Sequence, residues 1–215
     1  MLRDAAVARI QQGLGFRGSS YQSTAIVTAL QDVQVELEMG PTLPWFLESE
    51  ILSVSTQDEE ERLALPDGFI KEIDDGALWY YDGTATSASD VWTELKKDEL
   101  EYLRKTYPGE GIPSHYNLQG EYMRLFPTPD ASTYTLKLLC YLKDTVLSAN
   151  VENKWLEHTP RLLIGLAGVE LAGDTRDQSA IDKFMNMASA ARLVLANFET
   201  AREEAGQRRV MGGPD

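Results

Sequence analysis

Few residues in this chain combine the type and spacing that chemistry demands. Gly13-x-Gly15-x-x-Gly18 matches the glycine fingerprint of dinucleotide-binding loops letter for letter. That chemistry needs a strand before the glycines and a helix opening on them, so that pyrophosphate meets helix N-terminal amides. Here the preceding segment has helical periodicity and no β-α-β unit follows, so the glycines read as a flexible interhelical connection and no cofactor is expected. The two histidines are His115 and His158, and neither stands in a recognisable catalytic arrangement. His115 reads as a strand-edge residue, and His158, just before Thr159, is expected to touch backbone groups there. Cys140, within Leu138–Leu142, reads as a buried small hydrophobe. As the single cysteine it excludes an intrachain disulfide and a cysteine-based metal site. Asp58-Glu59-Glu60-Glu61 and Asp74-Asp75 could attract a divalent cation, but they lack EF-hand spacing and a paired histidine. Solvated acidic loops are the plainer reading, and no metal site is expected. A hydrolase would need two acids converging in an apolar cleft, and no such pair stands out, so the chain is read as a non-enzyme.

The elements that carry these residues fall into three zones. Leu2, Ala6, Ile10 and Leu14 mark one helical stripe, and Ile26, Leu30, Val33 and Leu37 mark a better one, closed by Gly40 and Pro41. From about Pro41 the character changes. Pro44, Pro66, Pro108, Pro113, Pro127 and Pro129 punctuate short apolar runs suited to strands. Strands are expected at Glu50–Ser55, Glu61–Leu65 and Ala77–Tyr81. Stronger ones are expected at Tyr116–Gln119, Tyr122–Phe126 and Tyr134–Leu142, the last three as an antiparallel meander turning at Gly120 and at Pro127–Ser132. A short helix is expected over Asp98–Tyr107. Thr159 and Pro160 then read as N-cap and first residue of a helix that stops at Gly173. Asp174 or Thr175 caps a long final helix reaching about Ala205, with a stripe of Ile181, Phe184, Met185, Ala188, Leu195 and Phe198. Gly165, Gly168 and Ala172 permit close approach inside the bundle, with an intersubunit contact as the sharper alternative. The fold class is α+β: a helical bundle from the chain's two ends carrying an inserted antiparallel β subdomain. The boundaries are residues 1–40, 41–150, 151–205 and a tail at 206–215.

Composition narrows the function classes. Of 215 residues, 43 % are hydrophobic and 25 % charged, as in soluble globular proteins. With 34 acids against 20 bases the net charge is -14, the wrong sign for binding DNA or RNA phosphates or an anionic membrane surface. No apolar run reaches the roughly 18 residues of a membrane span, and no signal-peptide core stands at the N-terminus. A reducing cytoplasm is the expected compartment. Residues 48–82 hold eleven acids and two bases, a local net charge of -9. A solubilising surface is the plain reading; the functional one is a surface facing something that must not stick, such as moving DNA.

The order of motifs resembles the head–tail adaptor (connector) proteins of short-tailed bacteriophages. The matching stretches are the early helix pair, Leu43-Pro44-Trp45-Phe46-Leu47, Leu65-Pro66-Asp67-Gly68-Phe69 and Tyr116-Asn117-Leu118-Gln119-Gly120. Leu125-Phe126-Pro127-Thr128-Pro129-Asp130, the tyrosine-rich strand ending at Tyr141, and Asn153-x-Trp155-Leu156 before Pro160 complete them. At Leu163–Gly168 this chain is glycine-rich where the family's helix is bulkier. The resemblance implies a structural virion protein of the neck or tail, assembled in the host cytoplasm. It implies a ring, typically of twelve copies, under the portal protein, extending the DNA channel and docking tail nozzle or tail-fibre-bearing proteins, with DNA as non-sticking cargo and no membrane. Arg208, Arg209, Val210 and Met211 are carried over as portal-contact candidates. Glu59, Glu60, Glu61, Asp74 and Asp75 are the acidic candidates for the lumen or the tail mouth. A tail-tube or neck completion protein is the second reading, and a small carboxylate-dependent hydrolase the last.

Overall fold

Apolar spacings of three and four become helices, and alternating runs become strands, for most of the chain. In the computed structural model, residues 2–15, 23–56, 59–73, 76–82, 92–132, 134–149 and 151–211 are described. The helices are α1 (Arg3–Gly13), α2 (Ser23–Glu38), α3 (Leu100–Thr106), α4 (Lys154–His158), α5 (Pro160–Asp174) and α6 (Gln178–Met211). The strands are β1 (Glu48–Ser55), β2 (Arg62–Ala64), β3 (Phe69–Glu72), β4 (Leu78–Asp82), β5 (Thr93–Glu94), β6 (Lys96–Lys97), β7 (Glu110–Gly111), β8 (His115–Gln119), β9 (Tyr122–Phe126), β10 (Thr128–Pro129) and β11 (Tyr134–Leu142). The fold is α+β. Two units result: Met1–Leu47 with Asp144–Asp215, and Glu48–Lys143.

The first unit is helical. Ala6 and Ile10 from α1, Leu14 just after it, and Ile26, Leu30 and Val33 from α2 are buried, whereas Leu2 is 52 % exposed. The stripe on α2 swings past Leu37 to bury Gln34 and Glu38 instead. Helix α5 packs against α1, α2 and α6, so apolar residues occupy most of its circumference. Among the described residues of α6, Ala180, Phe184 and Ala188 are buried, while Leu193, Val194 and Phe198 are 63 %, 69 % and 54 % exposed. Met185, expected inside, is 46 % exposed. Among the described residues no helix is long and apolar enough to cross a membrane.

Local chemistry corrects several expected boundaries here. Helix α6 is capped by Asp177, whose Oδ1 accepts from the Ala180 amide at 3.2 Å, and not by Asp174 or Thr175. Arg176 at φ 53° turns the chain between α5 and that cap. Thr159 does stand at the N-cap of α5 with Pro160 inside, but its hydroxyl donates to Trp155 O at 3.4 Å. The short helix α4 was not expected; the Asn153 side chain caps it by accepting from the Leu156 amide. Helix α6 runs on through 206–211, into the stretch read as a tail. Gln207, Arg208, Arg209 and Met211 are good helix formers, and one glycine costs only about 1 kcal/mol against alanine, too little to stop a helix already propagating.

The second unit holds the sheets. Strands β8 and β9 form the expected hairpin, Gln119 facing Tyr122 across Gly120-Glu121, with Gly120 at φ +62° where only glycine is unstrained. The meander stops there. Strand β9 pairs with β2 on its other edge, and β11 joins a different sheet, flanked by β1 along one edge and by β4 then β3 along the other. The nine residues of β11 alternate, burying Tyr134, Leu136, Leu138 and Cys140. A strand of that length needs partners on both edges for its amides and carbonyls, more than the five-residue β9 offers. Leu63, Leu78, Leu95, Tyr116, Met123, Leu125, Leu136 and Leu138 bring the two sheets to one core.

Candidate functional site

In the helical unit the chain folds a buried polar clamp. Glu38 Oε1 accepts from Gln34 Nε2 at 2.9 Å, Trp155 Nε1 at 3.1 Å and the Asp144 amide at 3.2 Å. Asn153 Nδ2 donates to Thr145 O at 2.7 Å and to Gln34 Oε1 at 3.2 Å. Asp144 in turn accepts from the Lys154 amide. A carboxylate with three donors is satisfied without a counter-ion, which is what lets it sit buried. Helical periodicity alone could not single it out, since Glu at the last turn of α2 looks like a solvated end.

The clamp sets Trp155, and through it an aromatic cluster. Phe46 meets Trp155 edge-on at 5.1 Å and stacks on His158 at 5.0 Å. Trp45 lies 4.9 Å from His158 and 5.7 Å from Phe198 of α6, with the Arg202 guanidinium 5.4 Å from its ring centre. His158 therefore stacks between rings and does not serve the backbone at Thr159. Trp45, Pro160, Ala191, Val194 and Phe198 line an open apolar groove of about 650 Å³. A neighbouring groove of about 450 Å³ shares Arg161 and Ala190 with it and adds Arg9, Lys183 and Met187. The two grooves on the α6 side thus combine apolar residues with Arg9, Arg161 and Lys183, and Glu157 also lines the larger one.

The α2 side is apolar and acidic. Asp32, Val35, Glu36 and Met39 are exposed, Val35 at 48 % and Met39 at 76 %. Glu170 of α5 stands beside Asp32, Glu36 and Asp174. Burial first, and these like charges next, raise its pKa above the ordinary carboxylate value.

The residues singled out in the sequence land in varied places. Glu59 and Glu60 are exposed. Glu61 is instead committed to cations, 2.7 Å from Arg124 and 3.6 Å from Arg104. Asp74 and Asp75 lie outside the described residues. Arg208, Arg209, Val210 and Met211 extend the α6 backbone, their side chains lying outside the description. Gly13 ends α1 against the Phe184 ring, and Gly18 of the glycine fingerprint lies outside the described residues. His115 stacks on Tyr107 at 4.6 Å with Ser114 Oγ 2.9 Å from its Nδ1. Burial lowers its pKa, opposed by Asp98 and aided by Lys96. Cys140 is fully buried, and burial, then Glu72, push its thiol up to about 11. Among the described residues no group of three His, Cys, Asp or Glu could hold a metal ion. Gly165 and Gly168 both face α6 of the same chain. What this arrangement offers is surface for association: two unlike faces on one helical unit.

Residues 2–215 match the family model described as SU10 adaptor protein. No curated protein matches the chain.

Proposed function

The chain belongs to the SU10 adaptor protein family, and from that membership we propose that it joins the phage head to the tail as a closed ring beneath the portal. In this reading twelve copies extend the DNA channel and offer a docking surface to the tail proteins. The observation that carries it is the family match over nearly the whole chain. The physical features agree with it. Helix α6 runs 34 residues, about 50 Å at 1.5 Å per residue. Its described side chains beyond Ala188 include exposed Leu193, Val194 and Phe198, apolar area that association removes from water.

The end of α6, Arg208 to Met211, contacts the portal in this proposal. The acid-rich stretch of the second unit, including Glu59, Glu60, Glu61, Asp74 and Asp75, faces the lumen or the tail mouth. Net charge of -14 per copy makes the ring a polyanion, and a conduit that repels phosphates does not retain the DNA passing through it. Glu61 contributes least to that repulsion, since Arg124 and Arg104 already answer its charge.

The test is to mix the full chain with its portal protein and image the product by electron microscopy. A ring of twelve stacked on the portal is expected. A chain that stays monomeric beside intact portals, or that polymerises into tubes without them, overturns the proposal.

A further inference from the structure

We propose that neighbouring copies join by seating the outer face of α2 of one copy in the α6 groove of the next. This rests on the ring reading above and names the contact that closes it.

A closed ring needs each copy to present two unlike faces that do not overlap. Helix α5 shows that the two faces are separate. Arg161 and Glu170 stand nine residues apart on it, which at 3.6 residues per turn places them half a turn out of phase. Arg161 opens into the groove beside α6, and Glu170 stands on the other side with Asp32 and Glu36 of α2. Helices α2 and α6 both pack on α5, which therefore lies between the two faces.

The faces are also complementary. Asp32, Val35, Glu36 and Met39 recur at helical spacing and form an exposed ridge of alternating acid and apolar character. Such a ridge suits a groove that is apolar along its floor and basic at its rim. The larger groove supplies Val194 and Phe198, with Arg161 and Glu157 beside them, and the neighbouring groove that shares Arg161 adds Arg9 and Lys183. Among the described residues none of Arg9, Arg161, Lys183, Asp32 and Glu36 forms an ion pair inside the chain. Asp32 and Glu36 are four apart on one helix, a like-charge pair that weakens α2 and gains from a cation opposite. Seating the ridge also covers Met39 and Val194, the most exposed apolar residues of the two faces.

Two variants of the full chain test this, each imaged with the portal protein. One reverses the ridge, Asp32→Lys with Glu36→Lys; the other reverses the groove, Arg161→Glu with Lys183→Glu. Each alone is expected to lose the ring, because like charges then face each other. An equimolar mixture is expected to regain it with the two variants alternating, since the reversed ridge fits the reversed groove and the native pair is kept at every other junction. The fourfold variant is expected to form rings unaided. Single variants that ring like the wild type, or a mixture that fails to regain the ring, overturn this contact. Rings that persist in both variants while portal or tail docking is lost would assign the faces to those proteins and overturn it too. A wild-type chain that forms no ring on its portal overturns the ring reading and this contact together.

Discussion

Gly168 of α5 lies directly against the ring of Phe184 of α6: a Cβ built on Gly168 would come within 2.4 Å of Phe184 Cδ1. Gly13 of α1 closes the same ring from another side, where an added Cβ would meet Phe184 Cζ at 2.2 Å. One turn before Gly168, Gly165 faces backbone: an added Cβ there would stand 2.8 Å from the Ala188 nitrogen and 2.9 Å from the Phe184 oxygen. Three glycines thus form the slot that brings α1, α5 and α6 together, and the fully buried Phe184 fills it.

Gly165→Ala should therefore destabilise the helical unit. Alanine gains about 1 kcal/mol of helix propensity, but forcing a methyl against backbone costs about 1–3 kcal/mol, and α6 cannot yield by rotating a side chain. A net loss near 1 kcal/mol is expected, read as a lower melting temperature by circular dichroism. A variant that melts higher than wild type would show that the approach is looser than 2.8 Å implies.

Glu38→Ala removes the acceptor shared by Gln34, Trp155 and the Asp144 amide. Leaving buried donors unpaired costs about 1–3 kcal/mol each where water cannot reach them, so a loss of about 3 kcal/mol is expected in the denaturant midpoint. Trp155→Phe removes one donor only and should cost less. Because both changes break the same network, the double variant should lose less than the two single losses combined.

Glu61 and its neighbours should separate cleanly. Glu61→Gln leaves Arg124, 8 % exposed, without its carboxylate, and a loss of about 1–3 kcal/mol is expected, seen as faster hydrogen exchange in β2 and β9. Glu59→Gln and Glu60→Gln, at exposed positions, should stay within about 0.5 kcal/mol of wild type. Equal effects at the three positions would refute the distinction.

Cys140 makes stability depend on pH in the alkaline range. Its folded thiol holds its proton to about 11, against 9.0 for the free group. Between those values the unfolded chain binds fewer protons than the folded one, so stability falls as pH rises, by up to about 2 kcal/mol. Cys140→Ala should lower stability at neutral pH but flatten this part of the pH profile. The check is the denaturant midpoint of both proteins from pH 8 to 11; parallel profiles would sink the idea. Thiol reagents at pH 8 should leave the folded wild type unmodified.

Where local pattern and burial coincide, sequence and structure agree. Tyr122–Phe126 and Tyr134–Leu142 are strands with the expected bounds, because their aromatic and apolar runs end at Gly120, at Pro127 and at Ser132. Helices α2 and α5 follow their apolar spacing in the same way. Strands of two residues, such as β5, β6, β7 and β10, carry no period to read. Alternation along β11 says which side chains turn inward, yet it is silent on which strand lies alongside, and so the expected meander gave way to two sheets.

The candidate site divides along the same line. Acidity of residues 48–82, the lone cysteine and the small residues of α5 are properties of the chain itself, legible without coordinates. So was the order of motifs that resembles an adaptor. The groove was not legible, because Trp45, His158, Arg161 and Phe198 come from segments up to about 150 residues apart and meet only when α6 packs on α5. Nor was the burial of Glu38, whose three donors are supplied by α2 itself, by the start of the returning segment and by Trp155. Sequence determines which faces of each element avoid water, since that is local chemistry. Which faces remain exposed together, and with what charge, is decided by packing between distant segments, because no single element carries both sides of a groove.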